Sequence, residues 1–299
     1  MKKSSRIAAL WGVRARRVVL RTVVLLLLVD VAFIFVMPIL RLLSTSLMHV
    51  LDFYDPTVVW IPRRWAWDNY SRALAALEFG LSFRNTVTVA GVCAILQTIS
   101  CAIVGYGFAR FRFPGRDRLF ALVLFAMIVP PHAIIIQLFI LYADLHWLES
   151  YWPFIVPSAL GMGLRGALFV FIFRQFFKGL PWELEDAAMM DGAGPLRVFF
   201  NIMLPIAQPA IVVVFLFSFV WHWNDSLEPS IYLSHAENFL LPQRLSVVET
   251  ALTNLQMRGM WGTGVIMASA LLVILPLLVL YLFTQRYFVE SIERTGLIG

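Results

Sequence analysis

Six stretches of this chain run for about 20 residues or more with few charges, at about 20–43, 85–109, 119–142, 153–177, 204–226 and 263–285. An α-helix rises 1.5 Å per residue, so about 20 apolar residues cross the roughly 30 Å of hydrocarbon in a bilayer. Inside a lipid bilayer the backbone must satisfy its own polar groups, and helices do so within one segment. The pattern therefore predicts an all-α polytopic membrane bundle with six transmembrane helices. Composition agrees. Of 299 residues 60% are hydrophobic and 14% charged, against roughly 25% charged in a water-soluble domain. The first run, about Val18 to Leu43, exceeds the apolar core of a secretory signal and is followed by five more, so it reads as a retained helix.

A net charge of +6 would suit a nucleic-acid binder if it formed one basic face. Here it does not. Seven basic residues, Lys2, Lys3, Arg6, Arg14, Arg16, Arg17 and Arg21, precede or open the first run with no acid before Asp30. Such a segment suits a cytoplasmic surface beside anionic lipid. With the N-terminus inside, the inner loops also receive Arg110, Arg112, Arg116, Arg118, Arg174, Lys178, Arg197, Arg286 and Arg294. The outer loops hold only Arg63, Arg64, Arg72, Arg244 and Arg258. The imbalance predicts that both termini are cytoplasmic.

Between the spans, the outer stretch 44–83 carries Trp60, Trp65 and Trp67 and reads as a segment lying at the headgroups, with a binding role as the alternative. The outer stretch 227–261 has a polar middle and ends at Trp261. Pro130 and Pro131 interrupt the third span, and Pro153 and Pro157 open the fourth. His132, after the proline pair, reads as a local hydrogen-bonding group rather than a proton relay. Arg165 lies in the apolar fourth run; in lipid it must face protein or a polar cavity, for structural pairing or for contact with a solute, and the alternative is a position at the membrane interface. Cys93 and Cys101 share one apolar segment and read as small buried hydrophobes, not as a disulfide or zinc pair.

The polar break from Gly179 to Pro195 has its own logic. Pro181 suits a first helical position, and Glu183, Glu185 and Asp186 place negative charge at the exposed amides of a helix start. Leu184, Ala187, Ala188 and Asp191 recur at one-turn spacing, Gly192 or Gly194 can end the helix, and Pro195 can start another. The expected element is a small helix–turn–helix. Trp182, Met189, Met190 and Phe199 exceed what a solvent-facing loop requires. Phe199 and Phe200 are expected to pack back on the chain, while the others form an apolar knob with an acidic rim for a partner's groove.

Glu185-Asp186-Ala187-Ala188 followed by Asp191-Gly192-Ala193 resembles the "EAA" loop of permease subunits of ATP-binding-cassette importers. Pro181 ahead of it, and Phe200, Leu204, Pro205 and Pro209 behind it, resemble the carbohydrate-uptake, maltose-permease-like subgroup. Further likeness lies in Trp67-Asp68-Asn69-Tyr70 with Arg84-Asn85-Thr86, and in Gly105-Tyr106-Gly107-Phe108-Ala109-Arg110 with Phe113-Pro114-Gly115. Trp221-His222-Trp223-Asn224-Asp225 and Gln285-Arg286-Tyr287-Phe288-Val289-Glu290 extend it, so that it covers about residues 15–295. Asp186 stands where the subgroup commonly has glutamate, and Gly296-Leu297-Ile298-Gly299 lacks the subgroup's terminal lysine.

The resemblance implies a basic cytoplasmic N-terminus (1–17), a permease transmembrane domain (18–290, with the loop at about 179–203) and a cytoplasmic tail (291–299). It implies a multi-pass protein of the bacterial inner membrane. The implied partners are a homologous second permease, two copies of a cytoplasmic ATPase subunit, an extracytoplasmic solute-binding protein and lipid, with no nucleic acid. ATP and Mg would belong to the ATPase subunits. No phosphate-binding loop of the Walker type occurs in this chain. The expected coupling residues are Glu183, Glu185, Asp186, Ala187, Ala188, Met189, Asp191 and Gly192. Gln97, Gln137, Arg165, Asn224 and Asp225 are the polar candidates for a translocation path. The implied solute is a sugar, oligosaccharide or polyol phosphate; a non-carbohydrate solute is the alternative within the family. Outside it stand a self-contained secondary transporter, whose sign would be an ion-binding set or duplicated half, and a non-transporting scaffold.

Overall fold

The computed structural model describes residues 2–130, 133–163, 165–254 and 262–296. His132, Arg258, Trp261 and the tail beyond Gly296 lie outside the described residues, as do the side chains of 2–16 and 286–296. Among the described residues the only non-helical pairing is an isolated bridge between Met48 and Trp65, so the expected all-α class holds.

Residues 1–73 and 252–271 form one compact unit, and 74–251 with 272–299 another. In the first unit α1 (Lys2–Ser46) contains the first apolar run. Its side chains are exposed from Arg17 to about Arg41, and burial begins at Thr45 and Ser46. The outer stretch then folds back on that end. The Asp52 carboxylate in the short helix α2 (Val50–Phe53) accepts the Arg63 and Arg64 amides at 2.9 and 3.0 Å. Asn69, in α3 (Asp68–Ala76), donates to the carbonyls of Ser46 and Met48 at 2.9 and 3.1 Å. Trp60, Trp65 and Trp67 stay exposed, with Trp65 and Trp67 stacked at 6.0 Å.

The second unit is organised by α4 (Phe79–Arg110). Small side chains make this possible: Ala90, Cys93, Ala94, Cys101 and Ala102 are all buried, and small residues allow helices to approach closely. At Gly105 a Cβ would sit 2.5 Å from the Phe173 Cβ and 2.9 Å from the Arg174 amide nitrogen. Both cysteines are free and buried, as expected.

Two of the predicted runs are not continuous helices. The third is divided into α5 (Arg116–Ile128) and α6 (Ile135–Asp144), with Val129 extended before Pro130; a residue preceding proline is driven out of the helical region. The fourth is divided into α7 (Trp152–Ala159) and α8 (Gly166–Gly179). Gly161, Gly163 and Arg165 in that break have φ of 71°, 74° and 62°. Carbonyls freed there are taken by α4 side chains: Gln97 donates to Met162 O at 2.7 Å, and Ser100 donates to Ala159 O. A break of this kind persists at membrane depth only where protein or water satisfies the backbone.

Among the described residues, three helical stretches, 17–46, 79–110 and 262–285, are long and apolar enough to cross a bilayer. The last lies in α15 (Gly262–Gly296). A fourth arises if residues 195–206 are joined to α12 (Gln208–Asn224) across a 76° bend. Beyond α12 lie α13 (Leu227–Tyr232) and α14 (Leu241–Asn254).

Candidate functional site

The polar break after α8 folds as the expected hairpin. Its first helix, α9 (Glu183–Met190), starts two residues beyond Pro181, with the Trp182 carbonyl accepting from the Glu185 and Asp186 amides. Glu183, Glu185 and Asp186 all fall in its first turn, where their charge complements the exposed N–H groups. Gly192, not Gly194, ends it. At φ 83° Gly192 adopts a left-handed conformation, and the amides of Gly192 and Ala193 close back on Met189 O and Ala188 O at 3.0 Å each. That geometry favours glycine because of its left-handed backbone alone, since the space around it is open. Pro195 opens α10 (Pro195–Val198), and a π-helical turn (Phe199–Met203) and α11 (Leu204–Ile206) lead into α12.

One arginine fixes this hairpin to the bundle. Arg110, the last residue of α4, faces Glu185 at 2.9 Å, with the two side chains only 1% and 4% exposed. Its Nη2 also donates to Leu180 O at 2.8 Å, and its guanidinium carbon lies 4.3 Å from the centre of the Trp182 ring. A single planar cation thus holds the strand leading into α9 and the first turn of α9 itself. Burial pushes the Glu185 carboxyl above its usual range and neighbouring Asp186 adds to this, while Arg110 and a hydrogen bond with Tyr106 pull it back. Breaking a buried pair of this kind leaves an uncompensated charge, which costs about 3–5 kcal/mol. Apolar contacts complete the joint. Ala188, Val198 and Phe199 are buried with Phe173 and Phe177 of α8, and Tyr106 sits 4.9 Å from Phe199 between ring centres.

The expected coupling set is consequently divided between two faces. Glu185 and Ala188 point into the chain. Glu183, Asp186, Ala187, Met189, Asp191 and Gly192 are exposed, with Met190 the most exposed of the neighbouring apolar residues at 88%. The outward face therefore joins methionine side chains to three carboxylates. Phe199 packs inward as expected. Phe200 does so only in part: it is half-exposed, with its ring edge-on to Phe199 at 5.0 Å between centres.

The five polar path candidates are not gathered in one place. Gln97 is fully buried, with Oε1 accepting from Ser218 at 2.6 Å and Nε2 donating to Met162 O. Asp225 accepts the Leu227 and Glu228 amides and so caps α13. Asn224 is exposed and donates back to Val220 O at 2.9 Å, and Gln137 is exposed on α6. Arg165 is exposed at the start of α8, its guanidinium carbon 5.5 Å from the Trp221 ring centre. Sequence reasoning counted Arg110 only as a loop charge. The signal that could have found its role is a lone arginine ending an apolar helix, which must find an acceptor if the next turn folds under it.

Comparison with known proteins gives a consistent result. The family model for "Binding-protein-dependent transport system inner membrane component" matches residues 98–294. The arabinooligosaccharides transport system permease protein AraQ of Halalkalibacterium halodurans is 31% identical over 280 residues, covering 90% of this chain and 93% of its own length. The melibiose/raffinose/stachyose import permease protein MelC of Bacillus subtilis is 28% identical over 288 residues, covering 96% of this chain and 100% of its own. In fold, the chain is similar to a crystal structure of a bacterial ABC transporter involved in the import of the acidic polysaccharide alginate. That likeness has a TM-score of 0.78 at 22% identity and covers 90% of this chain and 96% of that one.

Proposed function

The chain belongs to the family of binding-protein-dependent transport system inner membrane components, and on that premise we propose that it is one membrane-spanning half of an ATP-driven sugar or oligosaccharide importer. It pairs with a homologous permease, receives solute from an extracytoplasmic binding protein, and is driven by two cytoplasmic ATPase subunits that alone handle ATP and Mg. Relatives named for arabinooligosaccharide transport and for melibiose, raffinose and stachyose import support the solute class. In this reading the chain crosses the inner membrane six times with both termini cytoplasmic. The third and fourth crossings are broken helices, and the charge distribution supports the orientation.

The observation that carries the mechanism is the Arg110–Glu185 joint beneath an outward face of methionines and carboxylates. A displacement delivered to α9 reaches α4 through a buried ion pair and close aromatic packing rather than through a flexible loop. The outward residues Glu183, Asp186, Ala187, Met189, Met190, Asp191 and Gly192 seat in the ATPase, while Glu185 and Ala188 hold the seat to the bundle. Alternation of access then follows nucleotide-driven closure of the ATPase pair.

The test is Met190→Arg in the assembled transporter in liposomes. The variant chain should keep its thermal stability and lose ATPase co-purification or solute-stimulated hydrolysis by about tenfold or more, since charge in an apolar anchor is costly. Full coupling in this variant, or labelling of Asp191 from the outer side, would sink the reading.

A further inference from the structure

Arg165 is an arginine in an apolar run, and among the described residues no carboxylate lies within ion-pair distance of it. It is nevertheless held in a particular place. Its own φ is 62°, an uncommon conformation for a residue with a Cβ, at the end of a break whose carbonyls are already taken by Gln97 and Ser100. Its guanidinium lies over Trp221. A guanidinium so placed keeps a planar edge of N–H donors, which suits the two oxygens of a carboxylate or phosphoryl group.

Beside that edge is an aromatic ledge. Trp221 stacks with Phe217, one turn away on α12, at 5.6 Å and 20° between planes, and Phe169 of α8 supports it at 5.4 Å. Phe217 is 39% exposed and Trp221 is half-buried. A sugar ring has an apolar C–H face and a polar rim, so a partly exposed aromatic surface beside a guanidinium matches it in both respects. Lipid would match only the ledge, and burying an unpaired arginine against lipid is unfavourable.

We propose that Arg165, Trp221 and Phe217 form a solute-contacting subsite for a sugar bearing an anionic group, either a carboxylate or a phosphoryl group. The sugar ring lies on the Phe217–Trp221 ledge and its acidic group meets the Arg165 fork. This rests on the transporter reading above and adds to it a charge preference in the solute.

The assembled transporter in nanodiscs, with its partner permease and ATPase, can be tested by equilibrium binding of radiolabelled glucuronate, glucose 6-phosphate and glucose. Wild type should bind at least one of the two anionic sugars about tenfold or more tighter than glucose, and which one wins identifies the acidic group. Arg165→Gln should abolish that preference, and Arg165→Lys should retain part of it. Phe217→Ala should weaken all three probes. Equal binding of the three probes, no saturable binding, or a preference that survives Arg165→Gln would overturn the proposal. So would a disulfide from Arg165→Cys to the partner permease that no probe suppresses, since the arginine then serves the subunit interface. None of these outcomes touches the transporter reading, which is judged separately by whether the same preparation retains its ATPase.

Discussion

Helices α1 and α4 are both long, apolar and uninterrupted, yet they use their surfaces in opposite ways. None of the most apolar stretch of α1 is buried, whereas 44% of that of α4 is. The first carries large aliphatic residues all round, from Leu25 to Val29 and on to Ile34, and every one of them is exposed. The second mixes small and polar residues into the same overall apolarity, and those residues face protein: Gln97, Thr98, Cys101, Gly105 and, at its end, Arg110. Apolar content alone therefore says that a helix belongs in lipid. Where its small and polar side chains fall decides whether it also organises a bundle.

That contrast can be broken most severely at Arg110. Arg110→Met should strand the Glu185 carboxylate in a buried site and cost about 3–5 kcal/mol, read as a large fall in thermal midpoint and loss of the hairpin's protease resistance. Arg110→Met combined with Glu185→Leu should recover most of the loss. A single variant as stable as wild type would show that the joint does not hold α9. Next comes Gly105→Leu, which forces a side chain into the Phe173 Cβ and the Arg174 backbone nitrogen; overpacking of that kind costs about 3 kcal/mol, and the thermal midpoint should fall accordingly. Gln97→Leu should cost about 2 kcal/mol by leaving Met162 O without its donor, and it should raise hydrogen exchange at the α7–α8 break.

A smaller effect is expected outside the spans, at Glu149. Burial by itself would raise this carboxyl, but the His235 and Ser234 amides outweigh it and hold it below the usual carboxylate range. A carboxyl lowered in the fold stabilises at pH above its unfolded value of 4.5 and loses that contribution as pH falls through the folded one. Acid titration of thermal stability should therefore show a step that Glu149→Gln removes. Smallest of all, Leu27→Ile on α1 should change stability by no more than about 0.5 kcal/mol, because that side chain is 59% exposed. A large loss there would mean that α1 is covered by a specific protein surface.

Much of the hairpin was legible beforehand because capping is local. Acids near a start, a glycine at a stop and a proline at a restart act over three or four residues, and α9, Gly192 and Pro195 fall accordingly. Which way each residue of α9 faces was not legible. One-turn spacing groups Glu185 and Ala188 with Asp191, but the sense in which that stripe points depends on Arg110, 75 residues earlier in the chain. The path candidates failed to converge for the same reason. Gln97 and Asp225 look like open polar groups in sequence, and the fold spends one on a helix break and the other on a cap.

By itself the sequence determined that this chain is helical and lies in a membrane, where the proline-marked break of its third run falls, and which family it belongs to. These follow from runs of apolar residues and from backbone preferences that need no distant partner. Only the tertiary structure decided that the fourth run breaks between α7 and α8 rather than at its prolines, and that α4 supplies the donors closing that break. It also decided that one buried guanidinium locks the hairpin, because each of these depends on which side chain reaches a freed carbonyl or a buried charge from far away in the sequence.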